Sequence, residues 1–179
     1  MYNIDSILIS KNPEIILRRA TSADMGFIEK VSFKEMQPIL VEAWQGKLNW
    51  SKWFADVAEA ITNPYHRVFI IEGAGEALGY LWLNEEPKIV WITAIVIKRD
   101  WQRQQIGSFI MEYIIREALG NGKIAIELGV QNNNIPARRF YSKWGFKKFD
   151  HLGTANTLLV RLDLTHLTIQ ELKKDATNF

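Results

Sequence analysis

Cysteine is absent from the 179 residues. That excludes disulfides, thiolate zinc sites and a thiol nucleophile at once, so any chemistry must be carried by other groups. Histidine is scarce: His66, His151 and His166 stand apart without metal-ligand spacing, so surface or hydrogen-bonded histidines are expected and a metal site is not. An excess of one charge is lacking too. Twenty-two basic against twenty acidic residues leave a formal +2, too balanced for a nucleic-acid coat. No apolar run reaches the length of a membrane span, and Met1 to Ser10 has neither the basic start nor the long apolar core of a secretion signal. We therefore expect a cytoplasmic protein with no membrane and no nucleic-acid partner. With 47% hydrophobic and 23% charged residues, the chain is long and apolar enough to fold as one domain around a full core.

The richest stretch runs from Ile89 to Ala118, IVWITAIVIKRDWQRQQIGSFIMEYIIREA. Ile89 to Ile97 is apolar or β-branched without alternation, the pattern of a strand covered on both faces and central in its sheet. The chain then turns polar. From Ile106 the apolar positions recur as Ile106, Phe109, Ile110, Tyr113, Ile114 and Ala118, a helical period, and Gly120-Asn121-Gly122 supplies the stop. Gln102 to Ser108 is thus a loop and a first helical turn. Such a turn carries unpartnered N–H groups and the positive end of the helix dipole, and binds phosphate where the backbone can be approached closely. Gly107 permits that approach, and Arg99 and Arg103 add charge; a glycine serving only the turn is the other reading of the same residues.

Gln102-Arg103-Gln104-Gln105-Ile106-Gly107-Ser108, following an apolar strand, resembles the acyl-CoA loop of the GNAT N-acetyltransferases. In that loop Arg or Gln is followed by two residues, Gly, one residue, and Gly or Ala. A second patch, Val130 to Phe146, reads VQNNNIPARRFYSKWGF. It is similar to the closing motif of the same family, with Asn134, Ala137, Tyr141, Gly145 and Phe146 at its Asn, Ala, Tyr and Gly-Phe positions. The order and separation of the two patches match the family. Gln105 departs from it, standing where the first loop glycine is expected; a side chain there has to point away from a backbone that meets phosphate.

Other signals place the remaining elements. Residues 1–14 read as an irregular lead, and Ile15 to Ala20 as a first strand. Thr21-Ser22-Ala23-Asp24 has the form of a capping box opening a helix. Pro38 suits the first turn of a second helix, and Trp50, Trp53, Phe54, Val57, Ala58 and Ile61 mark a third, ended by Asn63-Pro64. Val68 to Glu72 and Ala77 to Asn84 flank Gly73-Ala74-Gly75-Glu76, a hairpin whose glycines supply positive φ. Lys123 to Val130 reads as a strand, Asn134 to Trp144 as a short helix, Thr157 to Leu164 as a last strand, and 164–179 as a tail with a short helix from Thr168. The resemblance, over residues 15–163, implies an α/β GNAT fold: a mixed central sheet of about six to seven strands flanked by helices, with a splayed strand pair at the acyl-CoA site.

It also implies an activity, transfer of an acetyl group from acetyl-CoA to a primary amine by direct attack in a ternary complex, without a metal. The splayed strands would be Ile89 to Ile97 and Lys123 to Val130. Ile95, Val96 and Ile97 would meet pantetheine and thioester, and the amides of Gln102, Arg103, Gln104, Gln105, Ile106, Gly107 and Ser108 the pyrophosphate. Asn134 and Ala137 fall on the cofactor side, Asn134 either as a helix cap alone or also as a cofactor ligand. Tyr141 is the candidate general acid, with a packed aromatic as the alternative. Where relatives carry a basic glutamate there are Trp91 and Gly129. Glu127, Glu35 and Glu42 are the substitutes, each also readable as a structural acid, and a water chain is the remaining option.

Phe33, Trp44, Trp50, Trp53, Trp82 and Trp91 concentrate aromatic surface in the first half of the chain. Trp50 and Trp53 keep a helical stripe and read as core, whereas Trp44, Trp82 and Trp91 are candidates to line a pocket for a cationic amine. A small amine, amino sugar or amino-acid derivative is the preferred acceptor. A protein N-terminus or lysine, and a non-catalytic acyl-CoA sensor, are the alternatives, and a homodimer is left open.

Overall fold

The structure, a computed structural model, describes residues 6–11, 13–43, 45–46, 48–152 and 156–167, with the side chains of 151 and 152 left aside. Eight strands run as β1 (Ser6–Lys11), β2 (Glu14–Arg19), β3 (His66–Gly73), β4 (Glu76–Glu85), β5 (Ile89–Ile97), β6 (Ala125–Gln131), β7 (Lys147–Leu152) and β8 (Thr157–Asp163). The helices are α1 (Met25–Glu35), α2 (Gln37–Ala43), α3 (Trp50–Thr62), α4 (Ile106–Gly120) and α5 (Ile135–Lys143). One mixed sheet has the order β1-β2-β3-β4-β5-β6-β8-β7. Among the described residues only β5 and β6 pair in parallel, and α4 provides the crossover that a parallel pair requires.

Each sheet face has its own core. Under α4 lie Leu17, Ile71, Leu81, Leu83, Ile110, Ile114, Ile126 and Leu128; under α1 and α3 lie Ile28, Val31, Val57, Val68, Ile70, Tyr80 and Trp82. Local chemistry sets the element ends. Asp24 accepts from the Thr21 N–H at 2.7 Å and from its hydroxyl at 3.0 Å, which closes the expected capping box. Asn49 caps α3 by accepting from the Lys52 N–H at 3.0 Å.

β5 occupies the sheet interior as expected, but its exposure alternates between buried and half-buried along its length. A bulge explains why its sequence does not alternate. Leu83 pairs with Ile92 and Trp82 with Ala94, leaving Thr93 as an extra residue. The extra residue exchanges the faces of the strand: Val90 and Ile92 pack under α4, whereas Ala94 and Val96 pack under α1 and α3. Beyond the bulge Ile95 and Ile97 take over the α4 side, half-buried against its core, so apolar side chains stand at both parities.

Two strands lie outside the expected pattern. β1 occupies the expected irregular lead and pairs antiparallel with β2, and β7 follows Gly145-Phe146 and pairs with β8, so the sheet has eight strands. β7 has the sequence KKFDHL, whose lysines and aspartate suit an outermost strand and hide it from a hydrophobic pattern. In the β3–β4 hairpin the positive φ values fall on Ala74 (52°) and Gly75 (78°), not on both glycines. The helix expected from Thr168 lies outside the described residues. Among those described, no helix is long and apolar enough to cross a membrane.

Candidate functional site

The bulge in β5 coincides with a parting of strands. β5 and β6 stay in register from Ile89 opposite Ala125 to Ile92 opposite Leu128, and no further. Beyond that point each strand keeps its outer neighbour, β5 pairing with β4 as far as Ile97 opposite Gly79, and β6 with β8 as far as Gln131 opposite Thr157. The sheet thus opens into a wedge between Thr93–Ile97 and Gly129–Gln131. The backbone of β5 on that side has no sheet partner, and such groups call for hydrogen bonds from elsewhere. Ile95, Val96 and Ile97 line this edge.

Gly79 lies on the other side of β5, opposite Ile97. A Cβ on Gly79 would stand 1.9 Å from the Val96 carbonyl oxygen, so only glycine allows β4 and β5 to approach this closely here. An isolated glycine inside an apolar strand is a legible signal of close backbone approach, and this one was missed.

At the far end of β5 the chain enters a short 3-10 turn, Arg99–Trp101, and then the loop before α4. The Gln102 side chain donates to the Ile97 carbonyl at 2.8 Å, tying the loop to the strand end, and Gln104 donates to the Asp100 carbonyl at 2.9 Å. Arg103 (φ 61°) and Gln105 (φ 62°) are both left-handed. Gln105 therefore holds the conformation in which a glycine would be at ease. Its carbonyl accepts from the N–H groups of Ser108 at 2.9 Å and Phe109 at 3.0 Å, so it is the cap, and the amides just after it form the open first turn.

A Cβ on Gly107 would meet Phe140 at 3.5 Å and Ile97 Cδ1 at 3.9 Å, both ordinary contacts. The end of β5, the start of α4 and α5 therefore converge, bringing the two sequence patches together. Packing within the chain does not require glycine at 107. On α5, Asn134 Oδ1 accepts from the Ala137 N–H at 3.2 Å, the expected cap. Tyr141 has its ring against Phe140 at 5.4 Å and Phe146 at 5.6 Å. Burial pushes its phenol up to about 12, so it keeps its proton well into the alkaline range.

The opposite face of the wedge carries the acids. Trp91, Glu127 and Arg161 stand in one register row across β5, β6 and β8. Glu127 is buried, and Arg161 donates to its Oε1. Glu35 Oε1 accepts from the Arg99 N–H at 3.1 Å, and Glu42 Oε2 from Asn133 Nδ2 at 2.8 Å. These last two bonds fasten the α1–α2 corner to the exits of both splayed strands. Each of the three candidate bases thus already has a structural partner. Sequence reasoning found neither Arg161 nor Asn133, because only strand register and the fold of α2 bring them to Glu127 and Glu42.

The tryptophans divide differently from expectation. Trp82 is 5% exposed, packs edge-on to Trp53 at 5.4 Å, and donates from its indole to His66 Nδ1 at 3.2 Å; it belongs to the core, not to a pocket wall. Trp91 is half-buried beside Glu127, and Trp44 lies outside the described residues. Trp53 packs against the core as expected. Trp50 stacks with Phe54 at 5.6 Å and meets Phe33 at 4.7 Å, bracing α3 against α1.

Comparison with known proteins agrees with this geometry. The model of the Acetyltransferase (GNAT) family matches residues 32–146. An uncharacterized N-acetyltransferase of Archaeoglobus fulgidus is 23% identical over 150 residues, covering 78% of this chain and 98% of its own. A putative ribosomal protein bS18-alanine N-acetyltransferase of Bacillus subtilis is 28% identical over 101 residues, covering 54% of this chain and 66% of its own. Among solved structures, the PaiA N-acetyltransferase of Thermoplasma acidophilum in complex with coenzyme A superposes with a TM-score of 0.66 at 15% identity, covering 83% of this chain and 98% of that one.

Proposed function

Because the chain belongs to the GNAT family of acetyltransferases, we propose that it moves an acetyl group from acetyl-CoA to the primary amine of a small molecule. The observation that carries this reading is the wedge between β5 and β6, which ends at the left-handed cap and open first turn of α4. The free edge from Thr93 to Ile97 suits the amides of a pantetheine arm. The amides from Arg103 to Gly107 suit the pyrophosphate, whereas those expected at Gln102 and Ser108 are taken by the Arg99 and Gln105 carbonyls.

Transfer then needs four events. The donor is held with its thioester at the apex of the wedge. A neutral amine, entering from the face of Trp91 and Glu127, attacks the carbonyl carbon, and backbone N–H groups of β5 stabilise the oxyanion. The C–S bond breaks as the C–N bond is completed. Tyr141, protonated at neutral pH as a phenol is, hydrogen-bonds the departing thiolate and gives it a proton that water then restores. The proton lost by the amine leaves through water in this reading, since Glu127, Glu35 and Glu42 are engaged elsewhere.

Acceptance of a protein N-terminus is the second reading, favoured by the name of the Bacillus subtilis relative. The experiment is a calorimetric titration with acetyl-CoA followed by free-thiol release over a panel of small amines and N-terminal peptides. Saturable one-to-one binding and release with small amines are expected. Release with peptides alone would replace the small-molecule reading, and no binding would end the donor-site reading.

A further inference from the structure

Where β5 exchanges its faces it leaves one residue over, and that residue carries the strand's only hydroxyl. Thr93 stands between Ile92, opposite Leu83, and Ala94, opposite Trp82. Bulges re-aim a side chain, which is why they are favoured beside active sites. Ile92 is buried in the core under α4 and Ala94 in the core under α1 and α3, whereas Thr93 belongs to neither and is half-buried. Valine would suit a strand here as well as threonine does, so the hydroxyl is the feature that asks for an explanation.

Register sets its place along the wedge. Ile92 opposite Leu128 is the last pair between β5 and β6, so Thr93 is the first residue of β5 past the closed end, about 3.3 Å beyond it. On the facing strand the next residue is Gly129, which brings no side chain, and the Thr157 methyl already occupies the space above it, 3.1 Å from where a Cβ would stand. Thr93 is thus the polar side chain that the two splayed strands present at the apex. Its hydroxyl bonds to none of the described residues, and it is not among the polar atoms shut away from solvent. Both its proton and its lone pairs are free for a group entering the wedge. The nearby carboxylates are not: Glu127, Glu35 and Glu42 are held by Arg161, the Arg99 N–H and Asn133.

Resting on the acetyltransferase reading, we propose that Thr93 is a catalytic residue of the transfer, its hydroxyl accepting a hydrogen bond from the attacking amine and passing the proton on to water. Threonine acts here as a relay and not as a base, since a hydroxyl both accepts and donates. As the nitrogen lone pair forms the C–N bond, one N–H proton moves to Oγ1 while the hydroxyl proton moves to a water at the mouth of the wedge. Thr93 ends as it began, and the positive charge leaves with the water. The C–S bond breaks in the same transfer, and the thiolate takes its proton from Tyr141. Holding the nitrogen before attack also aims its lone pair at the carbonyl carbon.

The test is single-turnover release of thiol from bound acetyl-CoA with n-butylamine, 1,4-diaminobutane and alaninamide, for the wild type, Thr93→Val, Thr93→Ala and Thr93→Ser, with acetyl-CoA affinity and Tm measured on each. Thr93→Val keeps the shape of the side chain, and Thr93→Ala covers a failure of the valine variant to fold. Loss of one hydrogen bond to the reacting nitrogen corresponds to a rate about tenfold lower, so Thr93→Val and Thr93→Ala should fall by that much or more while Thr93→Ser stays within about threefold of the wild type. Affinity for acetyl-CoA should be the same in all four. Because the hydroxyl does not titrate, the slower variants should be slower at every pH without a shift in the pH at which the rate rises. Valine and alanine variants as fast as the wild type, a serine variant as slow as valine, or an acetyl-CoA affinity that falls in step with the rate would overturn the relay and leave the acetyltransferase reading standing. A wild type that binds acetyl-CoA but releases thiol with none of the three amines would remove the transfer reaction and the relay with it.

Discussion

Gln105 offers a direct test of how the donor loop works. Its φ of 62° and ψ of 0° are left-handed, which costs an L-residue about 1–2 kcal/mol. Gln105→Gly removes that cost but returns about 0.5–1 kcal/mol of chain entropy to the unfolded state. The net gain is about 0–1.5 kcal/mol, a rise in Tm of up to about 5 °C for a chain of this size. Gln105→Val runs the other way, because a β-branched side chain is poorly tolerated at positive φ. It should cost about 2 kcal/mol more than glutamine or drive the residue out of the left-handed region. In the latter case its carbonyl leaves the Ser108 and Phe109 amides, and the first turn of α4 loses its shape. Thermal unfolding and acetyl-CoA calorimetry on the two variants are the assays. We expect Gln105→Gly to bind within about threefold of the wild type and Gln105→Val at least about tenfold more weakly. A valine variant with unchanged Tm and affinity would show that the backbone at 105 does not shape the site. Loss of binding in the glycine variant would mean that the glutamine side chain itself holds the cofactor.

Other perturbations probe the wedge and its acids. Tyr141→Phe should lower kcat by about 10²-fold or more with acetyl-CoA affinity unchanged; unaltered kcat would remove Tyr141 from the acid role. Since burial holds its phenol at about 12, the protonated form persists as pH rises, and kcat/KM should climb with amine deprotonation and show no alkaline fall below about pH 11. A fall near pH 10 would show a phenol that is not raised. Gly79→Ala drives a methyl to within 1.9 Å of the Val96 carbonyl oxygen, so it should cost about 3 kcal/mol or more and weaken acetyl-CoA binding; normal unfolding and binding would mean that β4 and β5 are not held this closely. Glu127→Gln strips Arg161 of its partner and should lower stability by about 1–3 kcal/mol while reducing turnover by less than about tenfold. A larger loss of turnover at unchanged Tm would make Glu127 the base.

The elements of the proposed donor half were legible because contiguous segments carry them. A strand, a polar loop and a helix start follow one another from Ile89 to Ile110, and the local pattern of Gln102, Gly107 and Ser108 points to a phosphate-binding turn without any knowledge of what lies across the sheet. The cap at Asn134 was legible for the same reason, since a cap is a relation between residues three apart. The proposed acceptor half is built differently. Glu127 meets Arg161, 34 positions away, through strand register; Glu42 meets Asn133, 91 positions away, through the placement of α2; and the Thr157 methyl packs over Gly129 only because β8 lies beside β6. A carboxylate in a sequence does not reveal which cation or amide will occupy it, so three acids that read alike proved to be fastened by three different partners. The same distance in sequence separates conserving a donor site from choosing an acceptor: the loop can stay fixed while single changes on β6, β8 and α2 reset the acceptor face. Gly129 is the clearest instance, since a Cβ there would already stand 3.1 Å from the Thr157 methyl, so a residue on β8 limits what β6 can carry at this position.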